Sequence, residues 1–223
     1  MLEQIYEILR VMGSTLRIPT SFVIIEFIGT MAFAISGIRL ASAKNFDWFG
    51  AYIVGMATAI GGGTMRDVML GIPPFWMTNP IYVICCALAL VWVILFGKKI
   101  IRQQSTWFIF DTIGLALFNI IGIEKTINMD YPLWMAIIMG SITGAAGGVI
   151  RDILINEVPL IFRKDIYAVA CIFGGIVYII CYKADFPAEI SALLSAFAVI
   201  AIRLLAVKYH WQLPILKGDE EDH

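Results

Sequence analysis

Shifted by 85 residues, this sequence overlays itself without a gap. EFIGTMAFAISGI at 26–38 lies over DTIGLALFNIIGI at 111–123, and GGTMRDVMLGIPPFW at 62–76 lies over GGVIRDILINEVPLI at 147–161. IYVICC at 81–86 falls on IYAVAC at 166–171. Apolar stretches align easily by chance. Chance does not align an acid (Glu26 over Asp111), a run of glycines, an Arg-Asp pair (Arg66-Asp67 over Arg151-Asp152) and a proline (Pro74 over Pro159). A repeat of this length restricts the fold to two copies of one unit before any local reading begins.

Composition supplies the solvent. Of 223 residues, 60% are hydrophobic and only 15% are charged, where a soluble domain carries about 25% charged residues. Seven apolar stretches, at approximately 21–41, 48–65, 80–97, 107–125, 133–150, 165–182 and 188–208, approach the roughly 20 residues needed to cross a hydrocarbon core. The expected fold is therefore an all-α integral membrane protein with seven transmembrane helices. The organisation would be an N-terminal segment at 1–20, a three-helix repeat at 21–105, a second at 106–187, a seventh helix at 188–210 and a tail at 211–223. Three spans per unit make the second unit enter from the opposite side, so the repeats are expected to be inverted, as is common in transport proteins.

Loop charges set the orientation. One side would hold Arg39, Lys44, Lys98, Lys99, Arg102, Arg151, Arg163, Lys164, Arg203, Lys208 and Lys217, eleven of the sixteen basic residues. That side should be cytoplasmic, with the N-terminus outside and the acidic C-terminal tail inside. Residues 1–17 lack the features of a signal peptide and read as a short interfacial helix.

Several function classes receive no support. A net charge of −1 argues against a nucleic-acid partner. The two histidines, His210 and His223, lie at or beyond the last span, and no hydrolase, zinc-protease or Walker-type motif is present. The four cysteines form no C-x-x-C pair, so packing explains them better than zinc or disulfides. No enzyme activity, cofactor or tightly bound metal is expected.

The second and fifth stretches carry the unusual residues. GAYIVGMATAIGGG at 50–63 and MAIIMGSITGAAGG at 135–148 place small residues four apart, which lets helices approach closely in lipid. Gly61, Gly62 and Gly63 in succession each cost about 1 kcal/mol of helix stability relative to Ala. They invite a kink or unwound segment with exposed carbonyls, as do Gly147 and Gly148 in the second unit. Thr64 follows the first run directly. Such backbone could coordinate K⁺ or Na⁺ transiently near Gly61, Gly62 and Gly147. Ser36, Thr58, Asn119 and Thr143 would add neutral oxygen ligands, although each alone is an ordinary helix–helix hydrogen bond.

Arg66-Asp67 and Arg151-Asp152 end these stretches. A charge at mid-membrane costs about 2.5–3.5 kcal/mol on the insertion scale. Two neutralising pairs are therefore expected, Glu26–Arg66 and Asp111–Arg151, with the adjacent aspartates Asp67 and Asp152 as alternative partners. Glu26, Gly29, Phe33 and Gly37 recur as Asp111, Gly114, Phe118 and Gly122. Their spacing puts each set on one helical face, toward the glycine-rich helices.

At these residues the sequence resembles the trimeric intracellular cation channel family, in its prokaryotic form. The resemblance spans nearly the whole chain and rests on GGG-T-x-R-D in the first unit and a degenerate G-G-x-x-R-D in the second. It implies a homotrimer in a bacterial inner membrane, in contact with membrane lipids. Each protomer would carry its own K⁺- and Na⁺-passing pore, lined by glycine-kinked helices 2 and 5. The lysine-bearing motif that animal members use for lipid headgroups is missing here, so that regulation is not implied. Similar bacterial sequences are described as transporters of glycine or another small amino acid. Inverted repeats suit that carrier reading as well, and a membrane scaffold without transport activity is a third possibility.

Overall fold

The computed structural model describes residues 20–101, 106–163 and 166–214, with side chains described from 21 to 97 in the first stretch. The expected interfacial helix at 1–17, most of the tail, and the basic residues Lys98, Lys99, Arg102, Lys164 and Lys217 lie outside these described residues or side chains. Seven long helices occupy the described residues. They are α1 (Thr20–Ala43), α2 (Trp48–Met69), α3 (Ile81–Ile101), α4 (Thr106–Asn128), α5 (Leu133–Leu154), α6 (Ala168–Lys183) and α7 (Ala188–Lys208). One helical turn, Phe75–Thr78, and a 3₁₀ turn, Leu160–Phe162, sit at matching places after α2 and α5.

Among the described residues, four helices are long and apolar enough to cross a bilayer: α1 over Ser21–Ala43, α4, α5 and α7. The part of α3 with described side chains, Ile81–Gly97, and α6 are shorter apolar helices. Seven helices thus stand where seven spans were expected, but length and composition alone support four of them. Glycines and threonines dilute the apolar character of α2. Large side chains such as Leu95, Leu193 and Phe197 point outward, about 70% exposed, while the buried set includes Arg66, Arg151 and Asp111 at 0%. Apolar outside and charged inside is the inverse of a soluble domain.

Turn chemistry repeats with the sequence. Asn45 and Asp130, 85 residues apart, take φ of 60° after α1 and α4, and Gly71 and Asn156 take φ of 73° and 56° after α2 and α5. These are the residue types that tolerate the left-handed region at a helix end. Asp47 caps α2 by accepting a hydrogen bond from Gly50 N at 2.6 Å.

The centre of the bundle is α1, α2, α4 and α5, with α1 packed on α4 and α2 on α5. Phe33 and Phe118 stack at 5.4 Å between α1 and α4. A Cβ on Gly114 would overlap the Phe33 ring, and one on Gly29 would crowd the Phe118 ring at 3.2 Å. The third helices differ. α3 packs mainly on α1, whereas α6 packs most heavily on α7 and next on α5, and α7 also packs on α4.

Candidate functional site: two buried charge clusters around a glycine crossing

The helix crossing between α2 and α5 is built reciprocally. A Cβ on Gly62 would overlap the carbonyl oxygen of Thr143, and one on Gly147 would overlap the carbonyl oxygen of Thr58. Only glycine lets two backbones meet this closely. Gly61 faces Ile150, Gly63 faces the Phe75 ring, and Gly148 faces the Tyr167 hydroxyl. The sequence offered a kink or an unwound segment here, and the structure shows no unwound segment. α2 is continuous α-helix from Trp48 to Met69, and α5 from Leu133 to Leu154. The glycines spend their freedom on approach, because a packed partner helix repays intrinsic helix cost that an isolated segment would not recover. The carbonyls of Thr58 and Thr143 are therefore covered by Gly147 and Gly62.

The hydroxyls behave in the same closed manner. Thr58 donates to Val54 O at 2.6 Å, Thr143 to Met139 O at 2.5 Å and Thr64 to Ile60 O at 2.7 Å. Asn119 donates to Cys171 O at 3.2 Å, away from α2. Gly37 and Gly122 bring α1 and α4 against Gly55 and Gly140, beside Thr58 and Thr143.

At one end of the crossing, Arg66 Nε donates to Asp67 Oδ1 at 2.7 Å, and Nη2 stands 3.6 Å from Glu26 Oε1. Lys125 Nζ reaches in from α4, 3.3 Å from Glu26 Oε1 and 3.8 Å from Asp67 Oδ1. The Tyr82 hydroxyl donates to Glu26 Oε2 at 2.7 Å, and Phe75 N donates to Asp67 Oδ2 at 2.9 Å. The Phe75 ring lies 5.6 Å from the Arg66 guanidinium and 5.4 Å from Lys125 Nζ. The helical turn after α2 is therefore pinned to the cluster by its first backbone amide.

The other end repeats the frame. Arg151 Nε donates to Asp152 Oδ1 at 2.9 Å, Nη1 donates to Asp111 Oδ1 at 2.5 Å, and Leu160 N donates to Asp152 Oδ2 at 3.0 Å. The second cation is different. Arg203, from the unrepeated α7, stands 3.6 Å from Asp111 Oδ2 and donates to Ile166 O at 3.1 Å. Ser36 accepts from Arg151 Nη1 at 3.0 Å and donates to Trp107 O at 3.3 Å. Two acids and two bases in each cluster leave both formally neutral. A buried charge is tolerated in this form, paired and hydrogen-bonded.

Each arginine thus contacts both of its expected partners at once, the distant acid and the adjacent aspartate. The sequence reading missed Lys125, Arg203, Tyr82 and Tyr167. Arg203 was counted as a loop charge, although an ionisable residue within an apolar span is by default an interior one. The tyrosines stood in the repeated IYVICC and IYAVAC blocks. Glu124 was also missed. It is buried, accepts from the Tyr178 hydroxyl and from Asn128 Nδ2 at 3.4 Å, and has no ion-pair partner among the described residues.

Outside the apolar layer, Lys44 Nζ meets Glu157 Oε1 at 2.6 Å, and Arg163 meets Glu157 Oε2 at 3.1 Å. The hydrogen bond and charge of Lys44 hold the Glu157 carboxyl below its ordinary range. This bridge ties the α1–α2 turn to the loop after α5 and has no counterpart in the other half, where Ile72 and Met129 stand instead.

An apolar exterior enclosing two neutralised charge clusters and a glycine-lined crossing defines a multi-pass membrane protein with a polar axis. A family model described as "Glycine transporter" matches residues 23–98 and again 108–183, and the chain belongs to that family. The UPF0126 inner membrane protein YadS of Escherichia coli strain K12 is 38% identical over 201 residues, 88% of this chain and 96% of its own. A UPF0126 membrane protein of Vibrio cholerae is 39% identical over 212 residues, 92% of this chain and 87% of its own.

Solved structures agree. One, described as the structural basis for conductance through TRIC cation channels, has a TM-score of 0.79 at 34% identity over 89% of this chain and 98% of that one. The TRIC trimeric intracellular cation channel orthologue from Rhodobacter sphaeroides has a TM-score of 0.81 at 30% identity, covering 86% of this chain and 100% of its own. A Caenorhabditis elegans trimeric intracellular cation channel, 13% identical with a TM-score of 0.56, shares the fold alone. These relatives are membrane proteins and these structures are of channels; the chain is a membrane protein with that fold, not an enzyme.

Proposed function

We propose that this protein is a cation channel of the TRIC type, passing K⁺ and Na⁺ through a path within each protomer along α2 and α5. The observation that carries the reading is the similarity, 34% identical over 89% of this chain, to a solved structure described by its conductance. The site's chemistry supports it. Carbonyls of Thr58 and Thr143 meet Gly147 and Gly62 at the crossing, and carbonyl oxygens replace the hydration shell of alkali cations. A separation of α2 from α5 there would uncover those carbonyls, with the hydroxyl oxygens of Thr58, Thr143 and Thr64 beside them. The charge clusters would stay as fixed ends, holding Arg66 and Arg151 neutralised so that neither repels an entering cation. Assembly as a homotrimer follows from the same reading, as do the organisation into units at 21–105 and 106–187 and a bacterial inner-membrane location. The N-terminus would lie outside and the C-terminus in the cytoplasm.

A second reading has its own support, the family's description as a glycine transporter. One experiment separates the two. Purified protein in a planar bilayer under a K⁺ gradient should give discrete cation-selective openings, lost in Gly62→Leu. A silent bilayer combined with saturable glycine uptake into proteoliposomes would overturn the channel and establish the carrier.

A further inference from the structure

The two clusters differ in how a matched pair of tyrosines is partnered. Tyr82 and Tyr167 lie 85 positions apart, and both are 1% exposed. The Tyr82 hydroxyl donates to Glu26 Oε2 at 2.7 Å. In the second unit the acid is Asp111, one methylene shorter, and the Tyr167 hydroxyl has no hydrogen-bond partner. Asp111 Oδ2 is likewise unpartnered, as are Nε and Nη2 of Arg203. The guanidinium of Arg203 lies 4.8 Å from the centre of the Tyr167 ring, and its Nη2 stands 3.6 Å from Asp111 Oδ2. A hydroxyl, a carboxylate oxygen and two guanidinium N–H groups therefore share one buried neighbourhood, each lacking a hydrogen bond. Fully buried polar groups left in that condition call for a partner, and a charge pair held just beyond hydrogen-bond distance is the geometry that a bridging water serves.

The mixed character of these groups selects the ligand. A bare cation would face two guanidinium groups, and an anion would face the Asp111 carboxylate. Water both donates and accepts, and a buried water typically makes about three hydrogen bonds. We propose that the second cluster is a water site, in which one water donates to Asp111 Oδ2 and accepts from the Tyr167 hydroxyl and the Arg203 guanidinium. In the first cluster Nη1 and Nη2 of Arg66 also lack hydrogen-bond partners, but the Tyr82 hydroxyl is taken by Glu26 directly and is not open to a water. The water ties α7, which has no counterpart in the first unit, to the Arg151 cluster. The inference is independent of the channel reading, because a protein silent in bilayers would keep the same site.

Radiolytic hydroxyl-radical footprinting of the protein in lipid nanodiscs tests it, because activation of a bound water oxidises the side chain beside it even when that side chain is buried. Tyr167 should be oxidised several-fold faster than Tyr82, its equally buried counterpart in the same molecule. In Asp111→Glu, which supplies the missing methylene, the Tyr167 rate should fall toward that of Tyr82. Equal slow rates for the two tyrosines in the unmodified protein would overturn the proposal without recourse to any variant. A Tyr167 rate that changes when chloride is replaced by gluconate would also overturn it, in favour of an anion.

Discussion

The Arg66 and Arg151 clusters are drawn from one template, yet they are completed by different parts of the chain. Both use an arginine, its neighbouring aspartate, a second acid from the first helix of the unit and a backbone amide eight residues beyond the aspartate. The first cluster then borrows Lys125 from the other unit and closes on Tyr82. The second borrows Arg203 from α7 and Ser36 from the first unit, and its tyrosine stays unpartnered by protein. Duplication therefore fixed the frame, and the remaining partners came from whichever helix each end faced. The first cluster is the more redundantly paired: Glu26 keeps Lys125 and Tyr82 if Arg66 is lost, whereas Asp111 would retain only Arg203 at 3.6 Å.

The largest expected effect follows from that redundancy. Removing one partner of a buried ion pair costs about 3–5 kcal/mol. Arg151→Gln should fall at the upper end and Arg66→Gln at the lower, read as loss of the monodisperse chromatographic peak on heating. The reverse order would break the comparison. The glycine crossing should be symmetric where the clusters are not. Gly62→Ala and Gly147→Ala each push a Cβ into a backbone carbonyl, and each should cost about 3 kcal/mol, the upper part of the overpacking range. A large inequality between them would mean that the crossing has a dominant side.

The tyrosines give a finer contrast. Tyr82→Phe removes a hydrogen bond to a carboxylate and should cost about 2 kcal/mol. Tyr167→Phe should cost clearly less in the same melting assay, since no protein group loses a partner. The smallest effect belongs to the exposed Lys44–Glu157 bridge. Because the Glu157 carboxyl is held below its ordinary range, its contribution is present above that range and lost as pH falls through the lowered value. Lys44→Ala should flatten that acid limb of the stability profile, and added salt should mimic it.

Much of the site was legible because a repeat compares a sequence with itself. Glu26 over Asp111 and Arg66-Asp67 over Arg151-Asp152 identified interior charges that a single copy would have left as helix-end anchors. The partners from outside the register were not legible. Lys125 aligns with Leu40, and Arg203 lies in a helix without a duplicate, so no internal match pointed to either. The triple glycine did not show, for another reason, that the helix stays wound there. Helix propensity is a local quantity, and it names Gly61, Gly62 and Gly63 as weak points, while the close approach of Thr143 to Gly62 compensates from 81 residues away.

Sequence alone determined the membrane as solvent, the duplicated unit and the acids that the arginines meet. These follow from composition, periodicity and self-alignment, which are properties of the chain. The tertiary structure decided that α2 and α5 stay helical through their glycines, that Lys125 and Arg203 complete the clusters, and that Tyr82 and Tyr167 part company. Each of those outcomes depends on which backbone lies within a few ångströms of another, a distance set by packing between helices and carried by no single stretch of residues.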